Sequence, residues 1–118
     1  MKKITMGSTE SEAAEAMAKE LKCILLLKGH GTVITDGETT YINPTGNPGM
    51  AKGGSGDVLS GMVLSLLGQR MEPFSACCNA VYLHGLAGDL AAQEKGERGM
   101  TPTDLLEKIP AALLTVEK

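Results

Sequence analysis

A glycine- and proline-rich stretch that runs straight into a helix constrains this chain more than any other feature. From Asn43 to Gly54 the sequence holds two prolines and four glycines. At Ser55-Gly56-Asp57 a helical spacing begins that carries Val58, Leu59, Met62, Val63, Leu66 and Leu67. The first amides of a helix have no partner within it, and the helix dipole points its positive end the same way. A close-approach loop at that end therefore favours phosphate or a developing phosphoryl charge. Gly54, Ser55 and Gly56 are the candidate anion hole. Asp57 does not fit simple phosphate binding, because its carboxylate repels a phosphate. It fits a base that takes the proton from a hydroxyl attacking that phosphate while the amides hold the transferring group.

Other phosphate loops fail on the letters. The Walker pattern would need glycine where Ala51 stands and a hydroxyl where Gly53 stands, so Lys52 reads as a solvated loop lysine. The dinucleotide fingerprint would need glycine at Leu59 and an acid near the ribose position, and Glu72 comes too early.

The rest of the chain frames this loop. Ser8 to Leu21 reads as a capped amphipathic helix with Ala13, Met17 and Leu21 at four-residue spacing. Cys23 to Leu27 is a continuous apolar run suited to a strand buried on both faces of a parallel sheet. Val33-Ile34-Thr35 and Thr40-Tyr41-Ile42 flank Asp36-Gly37 and read as a hairpin. Pro73 to Ala92 reads as a largely buried helix opened by proline. Thr101-Pro102-Thr103-Asp104 caps a last helix that Pro110 should bend or break. Within the buried helix His84 reads as a hydrogen-bonded packing residue, Asp89 receives no role, and Cys77 and Cys78 read as small core residues.

Composition narrows the partners. A net charge of -3 gives no footprint for nucleic acid or an anionic membrane, and no run reaches membrane-spanning length. With no Trp and 3% aromatic residues, stacking platforms are disfavoured, so a ligand must be held by backbone groups and a few polar side chains. Three cysteines form no even disulfide framework, which points to a reducing compartment and a cytoplasmic protein. No residue set has metal-ligand spacing, so no metal-site residue is assigned.

The run G-G-S-G-D-V-L-S-G at a loop-helix junction resembles the anion-hole motif of ribokinase-like enzymes. Joined to N-P-T-G-N-P-G-M-A upstream, K-G-x-G-T before that, and Y-L-H-G-L-A-G-D downstream, it resembles the ADP- or ATP-dependent NAD(P)H-hydrate dehydratase family from about Leu25 onward. The resemblance implies an α/β fold, the C-terminal part of a ribokinase-like three-layer α/β/α sandwich. It implies that residues 1–118 form a partial domain whose usual N-terminal portion is absent.

It also implies a reaction. A nucleotide phosphorylates the hydroxyl of hydrated NADH or NADPH, and loss of phosphate restores the reduced nicotinamide. Carried over by motif, Lys28, Gly29, His30, Gly31 and Thr32 border ADP or ATP as co-substrate, Gly56 meets its phosphates, and Asp57 faces the hydrated ring. Asn47 helps to form the substrate floor, and Mg2+ accompanies the nucleotide. Lys52 stands where many relatives carry a small residue, and His30 is variable. A ribokinase-like vitamin or sugar kinase would share the anion-hole motif, but N-P-G-M-A speaks against it. A non-catalytic nucleotide-binding fragment would bind nucleotide regardless of Asp57. A domain lacking its first portion should expose a sheet edge and an apolar face, leading to homo-oligomers or to association with the missing N-terminal half.

Overall fold

The computed structural model describes residues 10–21, 23–27, 31–50 and 54–117. Among the described residues, five α-helices and three short strands follow in the order α1 (Glu10–Leu21), β1 (Leu25–Leu27), β2 (Val33–Thr35), β3 (Thr40–Ile42), α2 (Ser55–Gly68), α3 (Pro73–Lys95), α4 (Pro102–Glu107) and α5 (Ile109–Glu117). A 3₁₀ turn, Pro48–Met50, lies between β3 and α2.

The strands form one antiparallel sheet in the order β1-β2-β3. This corrects the parallel arrangement expected for Cys23 to Leu27. Only five residues separate Leu27 from Val33, and a parallel return needs a crossover of a dozen or more. The strand is also shorter and half-buried throughout, and Cys23 lies exposed outside it. Register sets Leu26 opposite Ile34 and Ile34 opposite Tyr41, which puts all three on one face because side chains alternate along a strand. That face packs on α2 and α3 through Leu59, Ala80 and Val81, with Cys77 and Cys78 at its margin. Helix α1 covers the other face, burying Ala14, Met17 and Ala18, while Glu15 Oε1 accepts from Thr40 Oγ1 at 2.6 Å. The described residues thus form helix, sheet and helix layers, the α/β sandwich expected.

The hairpin turns as the Asp-Gly signal requires. Asp36 Oδ1 accepts from Glu38 N at 2.9 Å and Thr39 N at 2.7 Å, which holds its carboxyl below the usual carboxylate range. A second core lies away from the sheet, where Leu83, Ala87 and Ala91 of α3 meet Met100, Leu105 of α4 and Ala112 of α5. Thr101 and Asp104 close a reciprocal capping box at the start of α4. The last helical stretch is divided at Lys108, and Pro110 falls in the first turn of α5, where a missing N–H costs nothing. Helix α3 runs one turn beyond its sequence-predicted end, to Lys95. Among the described residues, no helix is long and apolar enough to cross a membrane. Several large apolar side chains stay exposed, including Leu64 on α2, Leu106 on α4 and Leu114 on α5.

Candidate active site

Strand register brings two of the sequence-predicted segments to one end of the sheet. Val33 pairs with Ile42, so Gly31 and Thr32, which precede Val33, and Asn43, which follows Ile42, leave the sheet together. Asn43 N donates to Thr32 O at 2.8 Å and ties the two segments. Gly31 takes a φ of +72° beside Ile42. Lys28, Gly29 and His30 lie outside the described residues, as does Lys52.

Buried Asn43 then fixes the start of the loop. Its Nδ2 donates to Thr45 Oγ1 at 2.9 Å and to Val81 O at 3.3 Å, and its Oδ1 accepts from Tyr41 Oη at 3.1 Å. Thr45 Oγ1 donates in turn to Tyr82 O at 2.9 Å. The close approach of this strand of loop to α3 depends on Gly85. A Cβ there would stand 2.7 Å from the carbonyl carbon of Thr45 and against its hydroxyl. At Gly88 the corresponding space is filled by Met50, whose Cε would lie 2.7 Å away.

Farther along, Asp89 of α3 accepts from both Gly46 N at 3.0 Å and Asn47 Nδ2 at 2.9 Å. Asn47 Oδ1 accepts from Gly49 N at 2.9 Å. Sequence reading left Asp89 unassigned. Its partners are a backbone amide and an amide side chain more than forty residues away. The available signal was the spacing His84-Gly85 and Gly88-Asp89, which puts two polar side chains and two glycines on one helical face.

Helix α2 begins beyond this point with the geometry an anion site needs. Gly54 takes φ +99° and ψ -24°, a left-handed conformation that L side chains resist, and as the N-cap residue it brings no side chain to the first amides. Its carbonyl accepts the first helical bond, from Val58 N at 3.2 Å. Ser55 is buried, Gly56 half-buried, and Asp57 exposed in the first turn. His84 Nε2, on α3, contacts Ser55 O at 3.0 Å, so the packing histidine expected from sequence anchors the same helix start. The stretch 81–89 of α3 therefore touches Asn43, Thr45, Gly46 and Asn47 at the start of the loop and Ser55 at its end. Among the described residues no cluster of three or more His, Cys, Asp or Glu could hold a metal ion.

This arrangement can place an anion at the helix-start amides beside one exposed carboxylate. An anion there gains from the amides and the dipole, and a hydroxyl between anion and carboxylate can lose its proton to Asp57 while attacking phosphorus.

Comparison with known proteins gives a consistent result. The sequence model of the NAD(P)H-hydrate dehydratase family matches residues 1–111. The chain is 50% identical over 109 residues to the bifunctional NAD(P)H-hydrate repair enzyme Nnr of Moorella thermoacetica, covering 91% of this chain and 20% of that protein. It is 40% identical over 102 residues to the ADP-dependent (S)-NAD(P)H-hydrate dehydratase of Bacillus subtilis, covering 85% of this chain and 37% of that one. A crystal structure of the ADP/ATP-dependent NAD(P)H-hydrate dehydratase from Bacillus subtilis, co-crystallised with ATP/Mg2+, superposes with a TM-score of 0.84 and 37% identity. It covers 89% of this chain and 38% of that chain. The chain thus spans from a fifth to about two fifths of the length of these relatives.

Proposed function

The chain belongs to the NAD(P)H-hydrate dehydratase family, and from that premise we propose that it carries the nucleotide- and hydrate-facing part of an ADP- or ATP-dependent dehydratase that repairs hydrated NADH or NADPH. The observation that carries the reading is the start of α2: a left-handed Gly54 at the N-cap, which brings no side chain of its own, and Asp57 exposed within the first turn.

The chemistry follows from that geometry. Asp57 takes the proton of the hydrate hydroxyl as its oxygen bonds to the terminal phosphorus of the nucleotide, and the bond from that phosphorus to the nucleotide's bridging oxygen breaks. Gly54, Ser55 and Gly56 present the amides that stabilise charge on the transferring group. Phosphate is a better leaving group than hydroxide. The ring nitrogen's lone pair expels it, a neighbouring carbon gives up a proton, and the double bond of the reduced nicotinamide returns. Asn47 helps to form the floor under that ring. Lys28, Gly29, His30, Gly31 and Thr32 border the adenosine nucleotide, an assignment that for the first four rests on the motif and for Thr32 also on its tie to Asn43.

Mg2+ fits this donor set as an ion brought by the nucleotide. One exposed carboxylate and backbone groups suit an ion held mainly by phosphate oxygens and water, and when bound it would offset phosphate charge. The exposed apolar residues on α2, α4 and α5 support a protein that associates, with its own copies or with the remaining part of the domain. A cytoplasmic location accords with three free cysteines.

The test uses the full protein, hydrated NADH or NADPH, Mg2+ and either ADP or ATP. Reduced-nicotinamide absorbance should return only with nucleotide, with one phosphate released per ring restored. Phosphate transfer to a sugar or vitamin instead, with no absorbance recovered under any of these conditions, would replace the dehydratase reading with a kinase.

A further inference from the structure

We propose that Asp89 is a positioning residue of this site, holding the substrate-side loop in its working shape through Asn47, and that the Asn47 amide acts by shaping backbone. The assignment rests on the function proposed above. Three bonds in series carry it. Asp89 accepts from Gly46 N at 3.0 Å and from Asn47 Nδ2 at 2.9 Å, and Asn47 Oδ1 accepts from Gly49 N at 2.9 Å. Asn47 O accepts from Met50 N at 3.1 Å, which closes the 3₁₀ turn that follows. One carboxylate on α3 thereby sets two backbone amides, one side-chain amide and a turn on the approach to α2.

The carboxylate's two acceptor oxygens and the helix both suit the task. Both oxygens of an ionised carboxylate accept, and Asp89 meets one N–H donor with each. Helix α3 holds Asp89 rigidly, because its neighbouring turns are buried at Gly85, Ala87, Gly88 and Ala91. On the same helix His84 contacts Ser55 O, so the loop is gripped at its far end as well. Of the residues proposed to meet the substrate ring, Asn47 sits at the first grip and Asp57 follows the second by two positions. A shift at Gly46 or Asn47 moves that floor and leaves the 31–32 side, tied through Asn43, in place.

Exchanging the two side chains gives a sharp test. In Asp89→Asn, Oδ1 can accept from only one donor and the new NH2 faces the other. In Asn47→Asp, two carboxylates confront each other. In the exchanged pair, Asn47→Asp with Asp89→Asn, all three bonds can form again. Gly46 N donates to the new amide oxygen, the new NH2 donates to the carboxylate at 47, and Gly49 N donates to that same carboxylate.

Steady-state kinetics on the full protein and hydrogen exchange at the Gly46 and Gly49 amides read the outcome. Each single variant should speed Gly46 or Gly49 exchange about tenfold or more and raise KM for the hydrate about tenfold, with nucleotide affinity held within about threefold. The exchanged pair should return both readings to within about threefold of the parent. A purely structural Asp89 would lower the active fraction, reducing kcat with both KM values unmoved, and that result would overturn the proposal. Restored amide protection without restored KM would also overturn it, because Asn47 would then touch the substrate itself. If the unaltered protein restores no reduced nicotinamide, the functional reading falls separately, and unchanged amide exchange in all three variants would still dismiss the clamp.

Discussion

Replacing glycine by alanine at two helix positions, 61 and 85, should move stability in opposite directions, and the structure sets both signs. In a helix interior, alanine is favoured over glycine by about 1 kcal/mol through backbone entropy alone. At Gly61, in the middle of α2, a Cβ meets nothing within 4 Å, so that gain should be kept. At Gly85 the new methyl would press on the Thr45 hydroxyl and stand 2.7 Å from its carbonyl carbon. Such overpacking costs about 1–3 kcal/mol. It would also displace Thr45 Oγ1 from Tyr82 O and Asn43 Nδ2, at about 1 kcal/mol for each bond lost. Subtracting the helix gain leaves Gly85→Ala destabilised by about 2–4 kcal/mol.

Urea unfolding of the full protein reads this directly. With a slope of about 2 kcal/mol per molar, Gly85→Ala should lower the midpoint by roughly 1–2 M and Gly61→Ala should raise it by up to about 0.5 M, with slopes unchanged. Gly85→Ala should also lose activity, because Thr45 begins the loop that leads to Asp57. A Gly85→Ala protein as stable and as active as the parent would refute the claim that backbone contact between α3 and the loop builds the site.

Three further outcomes follow from the same structure. Thr101→Ala removes the hydroxyl that accepts from Asp104 N at 3.2 Å and should cost about 0.5–2 kcal/mol in thermal or urea unfolding, with turnover at saturating substrate nearly unchanged. Glu72 caps α3 by accepting from Ser75 N at 2.9 Å and Phe74 N at 3.1 Å, and these bonds hold its carboxyl below the usual range. Its folded-state value is the lower one, so its contribution is present above the unfolded value and lost as pH falls through the folded one; Glu72→Gln should flatten the acid limb of the stability profile below about pH 4.5. Burial pushes the thiols of Cys77 and Cys78 up, so a thiol reagent at neutral pH should label exposed Cys23 first, and labelling of the pair should need more alkaline buffer; equal rates at all three would contradict their placement against the sheet.

Local signals in the sequence translated well into local structure. Asp36-Gly37 produced the hairpin, the Gly-rich run ended where α2 begins, and Pro110 marked a division between two helices, each because the controlling interaction lies within four residues. Pairing was less legible. The apolar run at Leu25–Leu27 carries no mark of strand direction, and the short connection to Val33 decides it. Asp89 was illegible for a different reason: a carboxylate that accepts from a backbone N–H leaves no complementary residue type at position 46 to be noticed. The same holds for buried Asn43, whose partners include the carbonyl of Val81. The candidate site was legible as a motif at 54–57, while the scaffold on α3 that supports it came only from the fold.

The most direct measurement of the central claim compares the full protein with its Asp57→Asn variant in nucleotide binding and in turnover of the hydrated coenzyme. Asparagine keeps the shape and removes the base. Turnover should fall by about 10²–10⁴-fold, while nucleotide affinity stays within about threefold or tightens as a charge that repels phosphate is lost. Turnover within tenfold of the parent, or nucleotide affinity lost in step with turnover, would contradict the assignment of Asp57 as the base beside the anion site.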